Sequence, residues 1–205
     1  AIWKAVKSLK ADGYEIDAVT NKGYRLKNSS GLLTKESVEN HLGSLKDKLH
    51  IIVLDEVTST NDYLKELAAK GAADGTVVIA VRQTKGKGRL GRSFYSPENT
   101  GVYLSILLRP KLSLSECLLL TTSAAVAVAE AVESITGKTV TIKWVNDVFL
   151  NGKKICGILT EASTDIESGG LSYAVVGIGL NICEPTGGFP SEIKDVAGAI
   201  FESGK

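Results

Sequence analysis

Gln83-Thr84-Lys85-Gly86-Lys87-Gly88-Arg89-Leu90-Gly91-Arg92, continued by Ser93-Phe94-Tyr95-Ser96-Pro97-Glu98-Asn99-Thr100-Gly101, is the stretch on which the fold turns. Gly86, Gly88 and Gly91 satisfy GxGxxG literally. In a doubly wound dinucleotide-binding sheet that pattern opens a helix whose N-terminus faces a pyrophosphate. Pro97 and Gly101 cannot sustain such a helix here. No phosphate-binding loop of the GxxxxGK-Ser/Thr type occurs either. What remains is a mobile loop carrying Lys85, Lys87, Arg89 and Arg92 among three glycines. Glycines let backbone N–H groups come close to an anion. The cations repel one another until a polyanion such as a triphosphate binds. A solvated surface loop is the plainer alternative, but so many glycines are costly to order with nothing bound.

Around this loop, helical and strand-like segments alternate. Thr34 to Leu42 reads as a short capped helix, and Ile51 to Leu54 as a strand. Thr60 to Lys70 is helical and is stopped by Gly71. Thr76 to Val81 and Val102 to Leu108 are strand-like, and Glu116 to Ile135 is a long apolar helix, whose weakly polar run Cys117 to Ala129 reads as buried. Thr139 to Trp144, Asp147 to Leu150, Lys153 to Ala162 and Leu171 to Ile178 complete the strands. Asn151-Gly152 is the tightest hairpin signal in the chain. Hairpins mixed with long crossovers predict an α+β domain with a mixed sheet rather than a parallel one.

Ahead of that domain, residues 2–11 show helical spacing, with Lys4, Lys7 and Lys10 along one face and Gly13 as the stop. Glu15 to Val19 and Gly23 to Leu26 read as a short hairpin turning at Asn21-Lys22-Gly23. A basic helix followed by a hairpin is the back half of a winged helix-turn-helix, although charge alone fits a solvated face. Asn28-Ser29-Ser30-Gly31 is a natural linker. The expected organisation is therefore residues 1–27, linker 28–31 and a main domain over 32–205.

The 205 residues carry 24 Lys+Arg against 23 Asp+Glu, a formal net charge of +1. A chain that is basic throughout is excluded, so any nucleic-acid contact is a local patch. The weakly polar run Cys117 to Ala129 is shorter than the ~20 residues of a membrane span, so no membrane partner is expected. Cys117, Cys156 and Cys183 are odd in number and far apart, which fits a reducing cytoplasm and no zinc site. Only His41 and His50 are present, neither with metal-ligand spacing. The absence of Met and an opening in mid-element suggest a chain cut or processed at its start.

Three further runs carry chemistry. Lys143-Trp144-Val145-Asn146-Asp147 precedes the Asn151-Gly152 turn and Lys153-Lys154-Ile155-Cys156-Gly157. A hairpin there brings Lys143, Asn146, Asp147 and Lys154 together. Asp147 could then hold a phosphate-bound divalent metal, and Lys154 could reach a carboxylate or phosphate. A surface hairpin closed by a salt bridge would read the same way. Ser59-Thr60-Asn61 opens a helix after a strand, where N-capping explains the hydroxyls and leaves room for a polar ligand. Gly177-Ile178-Gly179-Leu180-Asn181 ends a strand where something approaches the backbone closely.

Together these runs resemble the biotin–protein ligases, in particular the bifunctional bacterial biotin operon repressor/ligases. The loop is similar to the family's GRGRxGR, and Lys143 to Asp147 to its KWPND. Ser59-Thr60-Asn61 is its STN triplet and Gly177 to Asn181 its GxGxN, all in the family's order. Lys87 stands where the pattern has its first arginine, so charge is kept but a bidentate fork is lost. Val145 replaces the proline.

The resemblance implies a mixed-sheet catalytic domain like that of class II aminoacyl-tRNA synthetases, preceded by part of a winged helix. It also implies that the front of the winged helix, the final helix and a small C-terminal β-barrel lie outside this chain. Biotin would be held by Ser59, Thr60, Asn61, Gln83, Lys87, Gly88, Arg89, Lys154 and Gly157. ATP and Mg²⁺ would fall to Arg89, Arg92, Asn146, Asp147 and Asn181, with Asp147 on the metal. Lys154 and Arg89 would be catalytic. Lys4, Lys7, Lys10, Lys22 and Arg25 would meet operator DNA. The implied activity is ATP-dependent formation of biotinyl-5′-AMP and biotin transfer to a lysine of the biotin carboxyl carrier protein of acetyl-CoA carboxylase. Biotin-responsive repression by an adenylate-bound homodimer in the cytoplasm would accompany it. A lipoate–protein ligase, or a DNA-binding repressor that senses a small molecule without catalysis, are the alternatives.

Overall fold

The computed structural model describes residues 2–11, 16–19, 23–26, 33–110, 113, 116–164 and 170–202. The chain forms two compact units, residues 1–43 and 44–205. In the first, helix α1 spans Ile2–Ala11. Strands β1 (Ile16–Val19) and β2 (Gly23–Leu26) pair antiparallel, with Ile16 opposite Leu26. Lys4, Lys7, Lys10 and Arg25 are exposed. Lys22, Gly13 and the linker 28–31 lie outside the described residues. Helix α2 is only Lys35–Glu39, begun by a capping box in which Thr34 and Ser37 bond each other's backbone N–H.

The second unit is built on one seven-stranded mixed sheet in the order β3-β4-β5-β9-β8-β7-β6. Strands β3 (His50–Val57) and β4 (Thr76–Gln83) are parallel, joined by helix α3 (Thr60–Ala69). Every other pairing is antiparallel: β5 (Gly101–Leu108), β6 (Thr141–Lys143), β7 (Asp147–Leu150), β8 (Lys153–Thr164) and β9 (Leu171–Asn181). Asn151 and Gly152 both take positive φ (50° and 75°), the turn that matches strand twist in a two-residue hairpin. Strand β6 is shorter than the Thr139–Trp144 expected, and β9 continues through its glycines to Asn181.

Period-2 alternation gives the sheet two cores. Leu64 and Ala68 of α3 pack with Val78, Leu107 and Val175. Helix α4 (Cys117–Thr136) packs Ala125, Val128, Ala129 and Val132 against Val148, Ile158 and Val176. Val175 and Val176 are neighbours on β9, so the two helices cover opposite faces. Removing most of the fully buried Leu64 side chain by Leu64→Ala costs ~2–5 kcal/mol. The expectation that α4 is buried needs correction. Only Thr121, Ala125, Val128, Ala129 and Val132 are buried, while Leu118, Leu119, Val126 and Ile135 are exposed. At 20 residues it is also long and apolar enough, by length and composition, to cross a bilayer. Its sheet-facing stripe shows it serving as a core helix.

The mixed strand directions place the chemistry. The C-terminal ends of β3, β4, β7 and β9 and the N-terminal ends of β5 and β8 meet at one end of the sheet, and Asp147, at the start of the short β7, stands opposite Gly157 of β8. Segments far apart in sequence therefore share one rim.

Candidate functional site

A narrow cleft opens at this rim. Ser59, Thr60, Asn61, Gln83, Lys87, Gly88, Arg89, Asn146, Lys154 and Gly157 all line it.

Its floor is made by the first turn of α3. Ser59 caps the helix by accepting from the Asp62 N–H (3.4 Å). Thr60 donates its N–H and Oγ1 to Gln83 Oε1 (2.9 and 3.1 Å), and Gln83 Nε2 donates to Ser96 Oγ (2.9 Å). Asn61 is buried, with Nδ2 donating to Glu161 Oε2 (2.8 Å) and to the Leu159 carbonyl (3.2 Å). Ser105 Oγ lies 2.6 Å from Asn61 Oδ1 and 2.8 Å from Thr60 Oγ1. No buried side-chain polar atom among the described residues lacks a partner, so the floor is a satisfied and therefore rigid network.

Glycines let the walls approach it. A Cβ on Gly177 would lie 2.1 Å from Asn61 Oδ1, and one on Gly179 would lie 2.5 Å from the Phe94 ring. A Cβ on Gly86 would meet the Phe94 carbonyl at 2.3 Å, which lets the loop fold back on itself. The close approach expected at Gly177–Asn181 is thus by Asn61 and Phe94.

The mouth is cationic. Lys154 Nζ lies 2.7 Å from Asp147 Oδ1, which also accepts from Asn146 Nδ2 (2.8 Å). Arg89 Nη1 donates to Asn146 Oδ1 (2.9 Å). The glycine-basic loop has a defined course. Gly88 N–H donates to the Arg92 carbonyl (2.7 Å), Phe94 N–H to Gly86 (2.8 Å), and residues 89–91 form a 3₁₀ turn. Its cations are quenched in part without any ligand, because Lys87 pairs with Asp62 at 2.6 Å. Asp62 is penalised by burial, but its bonds to Lys87 and Lys65 outweigh this and hold its carboxyl below the usual carboxylate range.

The expected residues do not all converge. Lys143 turns away, its ammonium 5.7 Å from the centre of the Phe149 ring. Lys85 and Arg92 line a neighbouring trough with Glu98 and Glu192. Asn181 donates to the Gly198 carbonyl (2.9 Å) and lines an adjoining pocket that shares Lys154 and Phe94 with the main cleft. Asp62, Lys65, Phe94, Ser96, Ser105 and Glu161 were not foreseen. Ser105 between buried Tyr103 and Leu107, and Glu161 within a strand, are signals the sequence carries. Nothing in the sequence marks Phe94.

The cleft presents hydrogen-bonding groups and positive charge, and neither a thiol nor an imidazole lines it. Burial pushes the Cys156 thiol up to about 12. Neither histidine lines the cleft, and the described residues hold no cluster of three His, Cys, Asp or Glu fit for a metal ion. A neutral hydrogen-bonding floor beside three cations suits a ligand with a polar uncharged head and an acidic tail, placed next to a phosphate.

The comparisons agree with this chemistry. The biotin/lipoate A/B protein ligase family model matches residues 53–181. The bifunctional ligase/repressor BirA of Bacillus subtilis is 39% identical over 203 residues, covering 99% of this chain and 62% of that protein. The Escherichia coli protein of the same name is 31% identical over 182 residues, covering 89% of this chain and 54% of that protein. A solved biotin protein ligase from Aquifex aeolicus, in complex with biotin and ATP, superposes with a TM-score of 0.60 at 40% identity. That match covers 74% of this chain and 59% of the Aquifex chain. This chain thus spans about three fifths of the length of these relatives. Its match over residues 53–181, which contain the floor, the loop and the cationic mouth, shows that the chain belongs to the biotin/lipoate A/B protein ligase family.

Proposed function

We propose that this chain is the greater part of a biotin–protein ligase that forms biotinyl-5′-AMP and transfers biotin to a carrier-protein lysine. The observation that carries the reading is the junction, in one cleft, of the polar floor at Ser59–Asn61 with the cations Lys87, Arg89 and Lys154. Biotin has a neutral ureido head, an apolar body and a terminal carboxylate, in that order. A lipoate head offers no hydrogen-bonding groups and gains nothing from a floor lined with hydroxyls and amides, whereas a ureido head can exchange hydrogen bonds with it. This disfavours the lipoate alternative.

In the first step a biotin carboxylate oxygen attacks the ATP α-phosphorus and pyrophosphate leaves. In the second, a carrier lysine ε-amine attacks the acyl carbon of the anhydride, loses a proton and expels AMP. Both steps need alignment and charge stabilisation rather than a protein nucleophile. Ser59, Thr60, Asn61, Gln83 and Gly157 shape the head site, while Lys87, Gly88, Arg89 and Lys154 draw the two anions together. Arg89, Arg92, Asn146, Asp147 and Asn181 serve the nucleotide. Asp147 fits Mg²⁺ only as a single carboxylate sharing a cation with substrate phosphates, since both of its bonds described above fall on Oδ1. Bound there, the ion would neutralise phosphate charge.

The exposed Lys4, Lys7, Lys10 and Arg25 support a winged helix that meets DNA phosphates, with Lys22 assigned by sequence alone. Adenylate-linked dimerisation in the cytoplasm would couple biotin supply to operator binding, reciprocally. The test uses full-length protein with ATP, carrier protein and either biotin or lipoate. Label on the carrier from biotin alone supports the ligase; lipoate transfer, or none, overturns it. Sedimentation with and without adenylate, followed by DNA titration at two salt concentrations, decides the repressor role.

A further inference from the structure

Asp62 stands one position beyond the Ser59–Asn61 triplet, and nothing in the two chemical steps uses it. Both of its carboxylate oxygens face Lys87 Nζ, at 2.8 and 2.6 Å. Asp62 Oδ1 also meets Lys65 (2.9 Å), and Lys65 reaches Glu161 Oε1 (2.6 Å). The other Glu161 oxygen accepts from Asn61, the centre of the cleft floor. From Asn61 in the floor, a run of alternating charges therefore leads to the loop: Glu161, Lys65, Asp62, Lys87. A favourable helix dipole would explain an acid in the first turn of α3. It would not explain two contacts to a loop residue 25 positions away.

We propose that Asp62, braced by Lys65 and Glu161, is a positioning residue that holds the Lys87 ammonium at the cleft mouth as a fixed donor for the ligand carboxylate. The inference rests on the ligase reading. An arginine at position 87 would bring a rigid planar fork, whereas lysine brings a point charge on a flexible stem. Anchoring by Asp62 removes that flexibility. The ammonium has three donors, so a carboxylate that takes two leaves one for the ligand. Lys87 also bridges Ser93 across the base of the loop, so the same anchor steadies the backbone that presents Gly88 and Arg89.

The experiment compares Asp62→Ala and Asp62→Asn with wild type in the full-length protein. Biotin is titrated calorimetrically, and KM and kcat are measured for adenylate formation. The biotin Kd and KM should rise about two- to fivefold, the range of a partly exposed ion pair, with a smaller change in kcat. Asp62→Ala should add nothing in a Lys87→Ala background. Lys87→Arg should recover part of the loss, because the fork is preorganised. Trypsin should cut the ligand-free loop faster in Asp62→Ala than in wild type. Unchanged or tighter biotin binding, or additive effects of the two alanines, would overturn the proposal and make Asp62 a competitor for Lys87 or a bystander. A wild-type protein that takes no biotin would overturn the ligase reading instead, and the trypsin comparison would still decide whether Asp62 holds the loop.

Discussion

Replacing Lys154 with alanine tests the proposed chemistry most directly. Its ammonium sits 2.7 Å from Asp147 and lines both the main cleft and the adjoining pocket that holds Asn181. It is the one cation common to the two cavities, where a carboxylate and an α-phosphate would have to meet. The substitution does two things. It removes a preorganised charge facing the transition state, worth ~3–4 kcal/mol by analogy with the loss of one oxyanion donor, or a factor of several hundred. It also leaves the Asp147 carboxylate without its cation, adding repulsion toward the incoming phosphate. Stability should move far less than the rate, because the Lys154 side chain still reaches solvent, at 28% exposed, and a partly exposed ion pair is worth ~1 kcal/mol. The assay is pyrophosphate release with biotin and ATP, alongside a thermal melt. We expect a rate at least a hundredfold down with little change in Tm. Release at the wild-type rate would refute the role of Lys154, and a collapsed melt would show it to be structural.

Other perturbations follow from the same geometry. Gly177→Ala should abolish measurable biotin binding, because its Cβ would lie 2.1 Å from Asn61 Oδ1 and disrupt the floor; calorimetry checks this. Biotin with ATP should protect the loop at Lys85–Ser93 from trypsin, since a bound phosphate adds contacts to Arg89 and Lys87; equal cleavage with and without ligand would contradict it. The Asp62 bonds hold its carboxyl below its ordinary value, so their contribution is full above that value and disappears as pH falls through the folded one. Burial lowers the Lys65 pKa, but its bonds to Glu161 and Asp62 raise it further, so its share is lost only as pH rises beyond the ordinary lysine range. Urea melts should show an acid-limb loss below about pH 4 that Asp62→Asn diminishes.

Local pattern determined the parts of this protein that depend on neighbours in the chain. Asn151-Gly152 specifies a tight turn because both residues tolerate positive φ, and Ser59 specifies a helix start because its hydroxyl reaches the backbone three residues on. The same local logic excluded a dinucleotide helix after Gly91. Motif order pointed to Ser59–Asn61, Gln83, Lys87–Arg89, Asn146 and Lys154, and the rim does gather them in one cleft. Only tertiary structure decided what holds them. Ser105, Glu161 and Asp62 touch the motif residues from positions 25 to 100 residues away, and no period or spacing encodes a contact across a sheet. The α4 reading failed for a related reason. Composition records how apolar a helix is, whereas its exposure depends on which elements cover it, and the sheet takes only one face. Arg92 and Lys85 belong to the same basic run as Lys87, yet they line only the neighbouring trough, whereas Lys87 also reaches the main cleft. A charge's place in the sequence records its identity, while the backbone path of the folded chain settles which cavity it faces.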